Sequence, residues 1–313
     1  MRKLSFVIPC YNSEKTIEGV IKEIIETTQS IEWDYEIILI NDCSKDKTWD
    51  TIKSLCKDNK KIKGITFSKN FGQPSAIMAG LKRISGKYVV CLDDDGQAPV
   101  DELPKLVNKI EEGYDVVFSK YPEVKQSFFR NFTSKINAIM ARIMTEKPKG
   151  ISTASFFIMR KYVAENIVLY ESPYPYLSGL IFRITHNAAN VSVSHRERKV
   201  GQSGYTFKKL LKLWINGFTS FSILPLRVAI VFGFVFAVVG ILLAIFVVIR
   251  KIMIPEIQMG YTSLMAMNSF LGGVILFCIG GVGEYIGRSY MCINKTPQYI
   301  IKETSDMEED SEE

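Results

Sequence analysis

Residues 88–99 read YVVCLDDDGQAP. The apolar run Tyr88–Leu92 stops at three adjacent aspartates, Asp93, Asp94 and Asp95. Adjacent carboxylates repel one another, more strongly beside a low-dielectric core. Aspartate often follows a strand as a turn former or helix cap, but a cap uses one carboxylate and leaves the others unexplained. A divalent cation among them removes the repulsion. Magnesium and manganese take hard oxygen ligands, and magnesium commonly combines one or two carboxylates with substrate phosphates and water. On an extended backbone Asp93 and Asp95 point to one side and Asp94 to the other.

The surrounding elements alternate. Strands are expected at Leu4–Pro9, Tyr35–Ile40, Ile62–Phe67, Tyr88–Leu92 and Asp115–Ser119. Helices are expected at Glu14–Thr28, from Asp46 or Thr48 to Asp58, at Pro74–Ile84 and at Leu103–Glu112. In the first helix Ile17, Val20, Ile21, Ile24 and Ile25 recur at helical spacing. This order predicts an α/β domain with a mainly parallel sheet. Such sheets bind ligands beyond the carboxyl ends of their strands, where Tyr11–Asn12, Asn41–Asp42 and Asp93–Asp95 all fall. Asp46 and Asp101 read as helix caps, while Asp42 fits a cap or a ligand contact equally. Neither GxGxxG nor GxxxxGK[ST] occurs. Phosphate charge is then left to a metal and side chains, and an Asp-x-Asp metal site can neutralise a diphosphate leaving group.

The 313 residues are 47% hydrophobic, but unevenly so. Val228–Ile249 has no charged residue, and neither does the stretch 262–283. Each has about the 20 residues that span a bilayer core, and neither shows the polar face of a buried core helix. Two transmembrane helices are expected. The N-terminal MRKLSFVIPCYNSE has too short an apolar stretch for a signal peptide. The catalytic part and both termini are therefore expected in the cytoplasm. Lys208, Lys209, Lys212 and Arg227 before the first span, and Arg288 and Lys295 after the second, agree with the positive-inside rule. The six cysteines form no CxxC pair and read as reduced thiols. A net charge of +6 fits anionic membrane lipid, and no basic–aromatic motif points to nucleic acid.

Four segments, FVIPCYNSE (6–14), ILINDCSKDKT (38–48), FSKNFGQPSAIMAGL (67–81) and VVCLDDDGQAPVDELPKL (89–106), come in the order seen in family 2 glycosyltransferases with a GT-A fold. HRERKVGQSGYTFKKLLKLWINGFTSFSILPLRVA (195–229) and GEYIGR (283–288) resemble the polyisoprenyl-phosphate glycosyltransferases, the group of dolichol-phosphate mannose synthase and bactoprenol glucosyltransferases. The resemblance covers about residues 3–302. It implies that Pro9, Tyr11, Asn12 and Glu14 surround the base and ribose, and that Asp42 contacts the base. It implies that Asp93, Asp95 and Gln97 approach Mg2+ or Mn2+, with Asp95 the firmest ligand, and that Asp94 sits at the variable middle position beside the nucleotide. Some residues depart from the family. NDCSKDKT stands for the commoner DDGSxDxT, Gly204 for a lysine, and STASFFIMR for a GDFR-bearing stretch. No catalytic base is assigned, and a phosphate acceptor, already anionic at pH 7, needs little deprotonation.

On the acceptor side, Arg196, Arg198 and Ser203 are expected to bind a lipid phosphate, for which guanidinium forks are suited. A solvated basic loop is the alternative. Asp95, Arg196 and Arg198 are expected to carry the chemistry. Phe207, Leu210, Leu211, Trp214 and Phe218 share one helical face, apart from Lys208, Lys209 and Lys212, as in a helix lying in the membrane interface. Packing on the soluble core is the alternative. The expected organisation is a GT-A domain over 1–205, an interfacial region over 206–227, a two-helix membrane domain over 228–290 and a tail over 291–313 with a disordered acidic end. The expected activity is inverting, metal-dependent transfer from a nucleotide sugar, UDP-linked, to polyprenyl (undecaprenyl) phosphate. The alternatives are a processive polysaccharide synthase, which usually carries a QxxRW motif not found here, and a non-catalytic membrane-anchored binding protein. Glycines in FLGGVILFCIGGVGEYIG (270–287) and the habit of the group point to a homo-oligomer.

Overall fold

The apolar run at the start of the chain forms β1 (Lys3–Cys10), and Asp34–Asn41 forms β2 beside it in parallel. The computed structural model describes residues 2–122, 147–194, 196, 224–254 and 260–305. Two units result, Met1–Leu210 with Lys295–Glu313, and Leu211–Asn294.

The first unit is built on an eight-stranded sheet of order β7-β5-β6-β4-β1-β2-β3-β8. Its remaining strands are β3 (Ile62–Phe67), β4 (Tyr88–Cys91), β5 (Val116–Lys120), β6 (Phe157–Arg160), β7 (Ala188–Ser192) and β8 (Ile301–Thr304). The central strands β4, β1, β2 and β3 are mutually parallel, as the alternation predicts. Strand β6 runs antiparallel to both β4 and β5, and β8 antiparallel to β3.

Side chains alternate across β1. Leu4, Phe6, Ile8 and Cys10 join the core shared with α1 (Ile17–Ser30) and α4 (Leu103–Glu111). The opposite face receives α3 (Gln73–Leu81), which approaches so closely that a Cβ on Gly80 would lie 2.5 Å from Val7 and 2.8 Å from Ile40. Gly80 is therefore what lets α3 sit down on β1 and β2. The third layer helix on this half is α2 (Thr48–Asp58). Asp46, read as a cap, stands one residue before the Lys47 N-cap, which makes no side-chain cap bond, and accepts the Thr48 N–H at 3.1 Å. Asp101, read as a cap, instead meets Arg196 at 2.5 Å, and Glu102 at the N-cap of α4 makes no side-chain cap bond. Two shorter helices, α5 (Lys161–Ile167) and α6 (Leu177–Ile184), lie between β6 and β7 in sequence. None of the six cysteines is joined in a disulfide.

The second unit holds two long helices, α7 (Leu224–Met253) and α8 (Tyr261–Ile293). Phe236 of α7 meets Phe270 of α8 edge-on at 5.9 Å. Among the described residues, Phe270–Ile293 is long and apolar enough to cross a membrane, and Ile230–Leu242 is a shorter apolar run. The expected interfacial helix over 206–227 falls almost wholly outside the described residues, as does the acidic end, 306–313.

Candidate active site

The carboxyl ends of β1, β2 and β4 open on a cavity of about 190 Å³. Pro9, Cys10, Tyr11, Asp42, Gln73, Asp93, Asp94 and Asp95 line it. Of the residues that sequence reasoning placed at one sheet edge, Tyr11, Asp42 and the three adjacent aspartates line this cavity, while Asn12 and Asn41 do not; Pro9, set near the nucleotide by the family resemblance, lines it too.

The expected alternation of the aspartates fails, for a local reason. The strand ends at Cys91, the chain turns at Asp94 and Asp95, and Gly96 takes a positive φ of 73° that glycine adopts without strain. Period-two alternation holds only in extended backbone, and all three residues line the same cavity. Asp94 accepts the Tyr11 N–H at 2.9 Å, tying the β4 turn to the β1 loop. Burial pushes its carboxyl up to about 6, against the opposing pull of that N–H. Asp93 accepts the Gln73 amide at 2.6 Å. Asp95 accepts the Gln97 backbone N–H at 3.0 Å, while the Gln97 side chain is not part of the cavity wall.

Asp42 is gripped from one side. Its two oxygens accept the Phe71 and Gly72 N–H groups at 2.7 and 2.8 Å, and its carbonyl accepts the Asn70 side chain at 3.1 Å. Burial still raises its carboxyl, the two N–H bonds notwithstanding. Asn12 and Glu14 clamp two loops together: Asn12 Oδ1 accepts the Lys45 N–H at 2.9 Å, and Glu14 Oε2 accepts the Lys47 N–H at 3.3 Å. Ser44 and Asp46 return the contact to the Asn12 and Glu14 N–H groups. Arg196 stands elsewhere, with its guanidinium on Glu23 of α1 at 2.7 Å and on Asp101. Arg198 and Ser203 lie outside the described residues.

Three residues at the site escaped the sequence reading. Gln73 lies just before the expected helix and Cys10 just after the expected strand, and neither was given a role; the structure places them at the ends of α3 and β1. Tyr121 follows β5; burial and then the nearby charges of Asp93 and Asp95 raise its phenol, partly offset by Ser119. No local pattern marks it, because its neighbours come from another strand.

Among the described residues, no group of three or more His, Cys, Asp or Glu is arranged to hold a metal ion. The donor chemistry nonetheless fits a hard cation. Carboxylates of Asp93 and Asp95 share one cavity wall, and a cation of this kind completes its shell with diphosphate and water.

A parallel sheet whose central strand ends converge on clustered aspartates is the architecture of a GT-A-like glycosyltransferase. The chain belongs to glycosyl transferase family 2, whose profile matches residues 5–168, and the GtrB C-terminal hairpin profile matches 224–289. The undecaprenyl-phosphate 4-deoxy-4-formamido-L-arabinose transferase of Photorhabdus laumondii is 32% identical over 305 residues, covering 96% of this chain and 94% of its own. The bactoprenol glucosyl transferase of Shigella phage SfII is 32% identical over 309 residues, covering 96% and 98%. In fold, the chain is similar to glucosyl-3-phosphoglycerate synthase of Mycobacterium tuberculosis, solved with Mn2+, UDP-glucose and phosphoglyceric acid. That match has a TM-score of 0.51 at 18% identity and covers 69% of this chain and 80% of the other.

Proposed function

We propose that this glycosyltransferase moves a sugar from a UDP-linked donor to undecaprenyl phosphate on the cytoplasmic face of a membrane. The observation that carries the reading is the convergence of Asp42, Asp93, Asp94 and Asp95 on one cavity, in a chain similar over 96% of its length to one enzyme named for undecaprenyl phosphate and another named for bactoprenol.

Pro9, Tyr11 and Asp42 would border the nucleoside, with Asn12, Glu14 and Asp94 holding the loops around it. Asp93 and Asp95 would hold Mg2+ or Mn2+, with Gln97 supporting Asp95 through its N–H. Such a cation, when bound, offsets charge on the departing diphosphate. The acceptor phosphate oxygen attacks the anomeric carbon and inverts it, and being already ionised it needs no strong base. Arg196, Arg198 and Ser203 would receive the acceptor phosphate, Arg196 exchanging Glu23 and Asp101 for it. The apolar cavity of about 650 Å³ between α7 and α8 fits contact with the isoprenoid chain.

Topology supports two crossings by the hairpin. Strand β8 follows α8 in sequence yet pairs with β3. A single crossing would leave the two strands on opposite sides of the bilayer, whereas two crossings would keep them together. Residues 206–227 would lie in the interface before the first crossing. Among the described residues, a methyl group added at Gly272, Gly273, Gly280 or Gly281 of the hairpin would meet nothing within 4 Å, which leaves small-residue surface for a second copy of the chain.

The test is a screen of nucleotide sugars against undecaprenyl phosphate, with the lipid product weighed by mass spectrometry. One UDP-sugar should yield a lipid one glycosyl unit heavier, and Asp95→Ala should lose that product while melting as the parent does. Equal product from Asp95→Ala would remove the metal-site assignment; no product from any donor would remove the activity.

A further inference from the structure

The chain that returns from the hairpin does more than close the sheet edge. Gln298 donates to the carbonyls of Tyr170 and Ser172, at 3.4 and 2.9 Å. Ile300 accepts the Ser68 N–H at 3.0 Å, and β8 then runs along β3. Glu303 accepts the Trp49 indole N–H at 3.2 Å, and Ser305 accepts the Gly64 N–H at 2.7 Å. Between these ties, Tyr299 lies flat on Phe67, with ring centroids 5.2 Å apart and planes 11° apart. Lys82 covers the Tyr299 ring at 5.7 Å.

Phe67 is the last residue of β3, and its ring meets Phe71 edge-on at 5.7 Å. Phe71 and Gly72 supply the two N–H groups that hold Asp42. An unbroken series of contacts therefore runs from Tyr299 through Phe67 and Phe71 to a carboxylate on the cavity wall. Segment 68–72 is fixed at its start by the Ile300 carbonyl and at its end by Asp42. It has no strand or helix of its own to hold it between those points.

We propose that Tyr299 is a positioning residue for donor recognition, which sets the Phe71–Gly72 amides on Asp42 although it lies more than 200 positions away in sequence. Its importance for the nucleotide rests on the functional reading above; its hold on segment 68–72 does not. The site is thus incomplete in the N-terminal domain alone, even though the four segments that carry the family 2 resemblance all precede the hairpin.

The test uses full-length protein in detergent. In Tyr299→Ala the Phe71 and Gly72 amides should exchange with deuterium roughly two- to tenfold faster, the range one aromatic pair carries. Amides of β1 and β2 should keep their rates. UDP with Mn2+ should bind more weakly by a similar factor, and KM for the donor should rise with kcat nearly unchanged. Tyr299→Phe, which keeps the ring, should restore both; Tyr299→Leu, which fills the space, guards against a folding defect. Unchanged exchange at Phe71 and Gly72 overturns the proposal. So does a uniform rise across the whole sheet, which would mean general loosening. Failure of the parent protein to bind UDP would refute the uridine donor, and the exchange rates would still decide the role of Tyr299.

Discussion

Strand β2 bears the carboxylate Glu36 near its start and is followed by another, Asp42, just past its end, and the two ends treat negative charge in opposite ways. Glu36 is buried, which alone would raise its carboxyl, but the Ser5 hydroxyl and the Ser85 N–H and hydroxyl outweigh burial and hold it below the ordinary value. Gly86 adds another N–H at 3.3 Å, and Lys3 stands 3.4 Å away. At the other end Asp42 and Asp94 accept backbone N–H bonds as well, yet burial wins and both carboxyls are raised. One end supplies donors that outweigh burial; at the other, burial outweighs the donors of Asp42 and Asp94. The first arrangement fastens the fold. On the function proposed above, the second keeps its charge available to a cation or ligand at some cost in stability, as functional sites commonly do.

Neutralising the ligand end should produce the largest effect on activity. Asp93→Asn with Asp95→Asn is expected to lower transfer at least about a hundredfold, the scale of a lost electrostatic contact in a transition state. The melting temperature should stay equal or rise, as calorimetry would show. A fall in both would mean that these aspartates belong to the fold.

The fastened end should respond in reverse. Glu36→Ala removes the acceptor of the buried Ser5 hydroxyl and of the Ser85 N–H, and should cost about 2–4 kcal/mol in denaturant unfolding followed by tryptophan fluorescence. Turnover per folded molecule should not change. A carboxyl lowered by folding stabilises above its unfolded value of 4.5, and that stabilisation disappears as pH falls through the folded value. Glu36→Gln should therefore flatten the acid limb of the stability profile.

The smallest change is expected at Asp94. Its carboxyl is raised, so the group favours folding in acid, and that contribution is lost as pH rises through about 6. In metal-free buffer at neutral pH, Asp94→Asn should gain about 1 kcal/mol while its amide oxygen still accepts the Tyr11 N–H. A loss measured by the same unfolding assay would show that the charge itself holds the β1 loop.

Much of this contrast can be read from sequence at the ligand end and little at the other. Strands β1 to β5 are apolar runs of useful length, so their order and the parallel sheet were legible, and with them the edge where Asp42 and Asp93–Asp95 meet. Strands β6, β7 and β8 are FIMR, AANVS and IKET. They are too short or too polar to stand out, and they exist because longer neighbours offer them hydrogen bonds. Glu36 reads as an ordinary alternating residue in YEIILI, since its partners come from residues 5, 85 and 86. Gln73, Tyr121 and Tyr299 were hidden for the same reason. Motif spacing reports what one segment presents, and these residues matter for what a distant segment places against them.

Strand β8 also has a consequence for how the protein is made. Until residue 304 has left the ribosome, β3 is an exposed edge strand, its hydrogen-bonding groups open to any passing chain. The whole hairpin must be synthesised before that edge is covered. A nascent chain stalled within α7 or α8 therefore presents an adhesive sheet beside a greasy helix, the combination that chaperones and proteases bind. The last strand thus separates finished molecules from unfinished ones during biosynthesis.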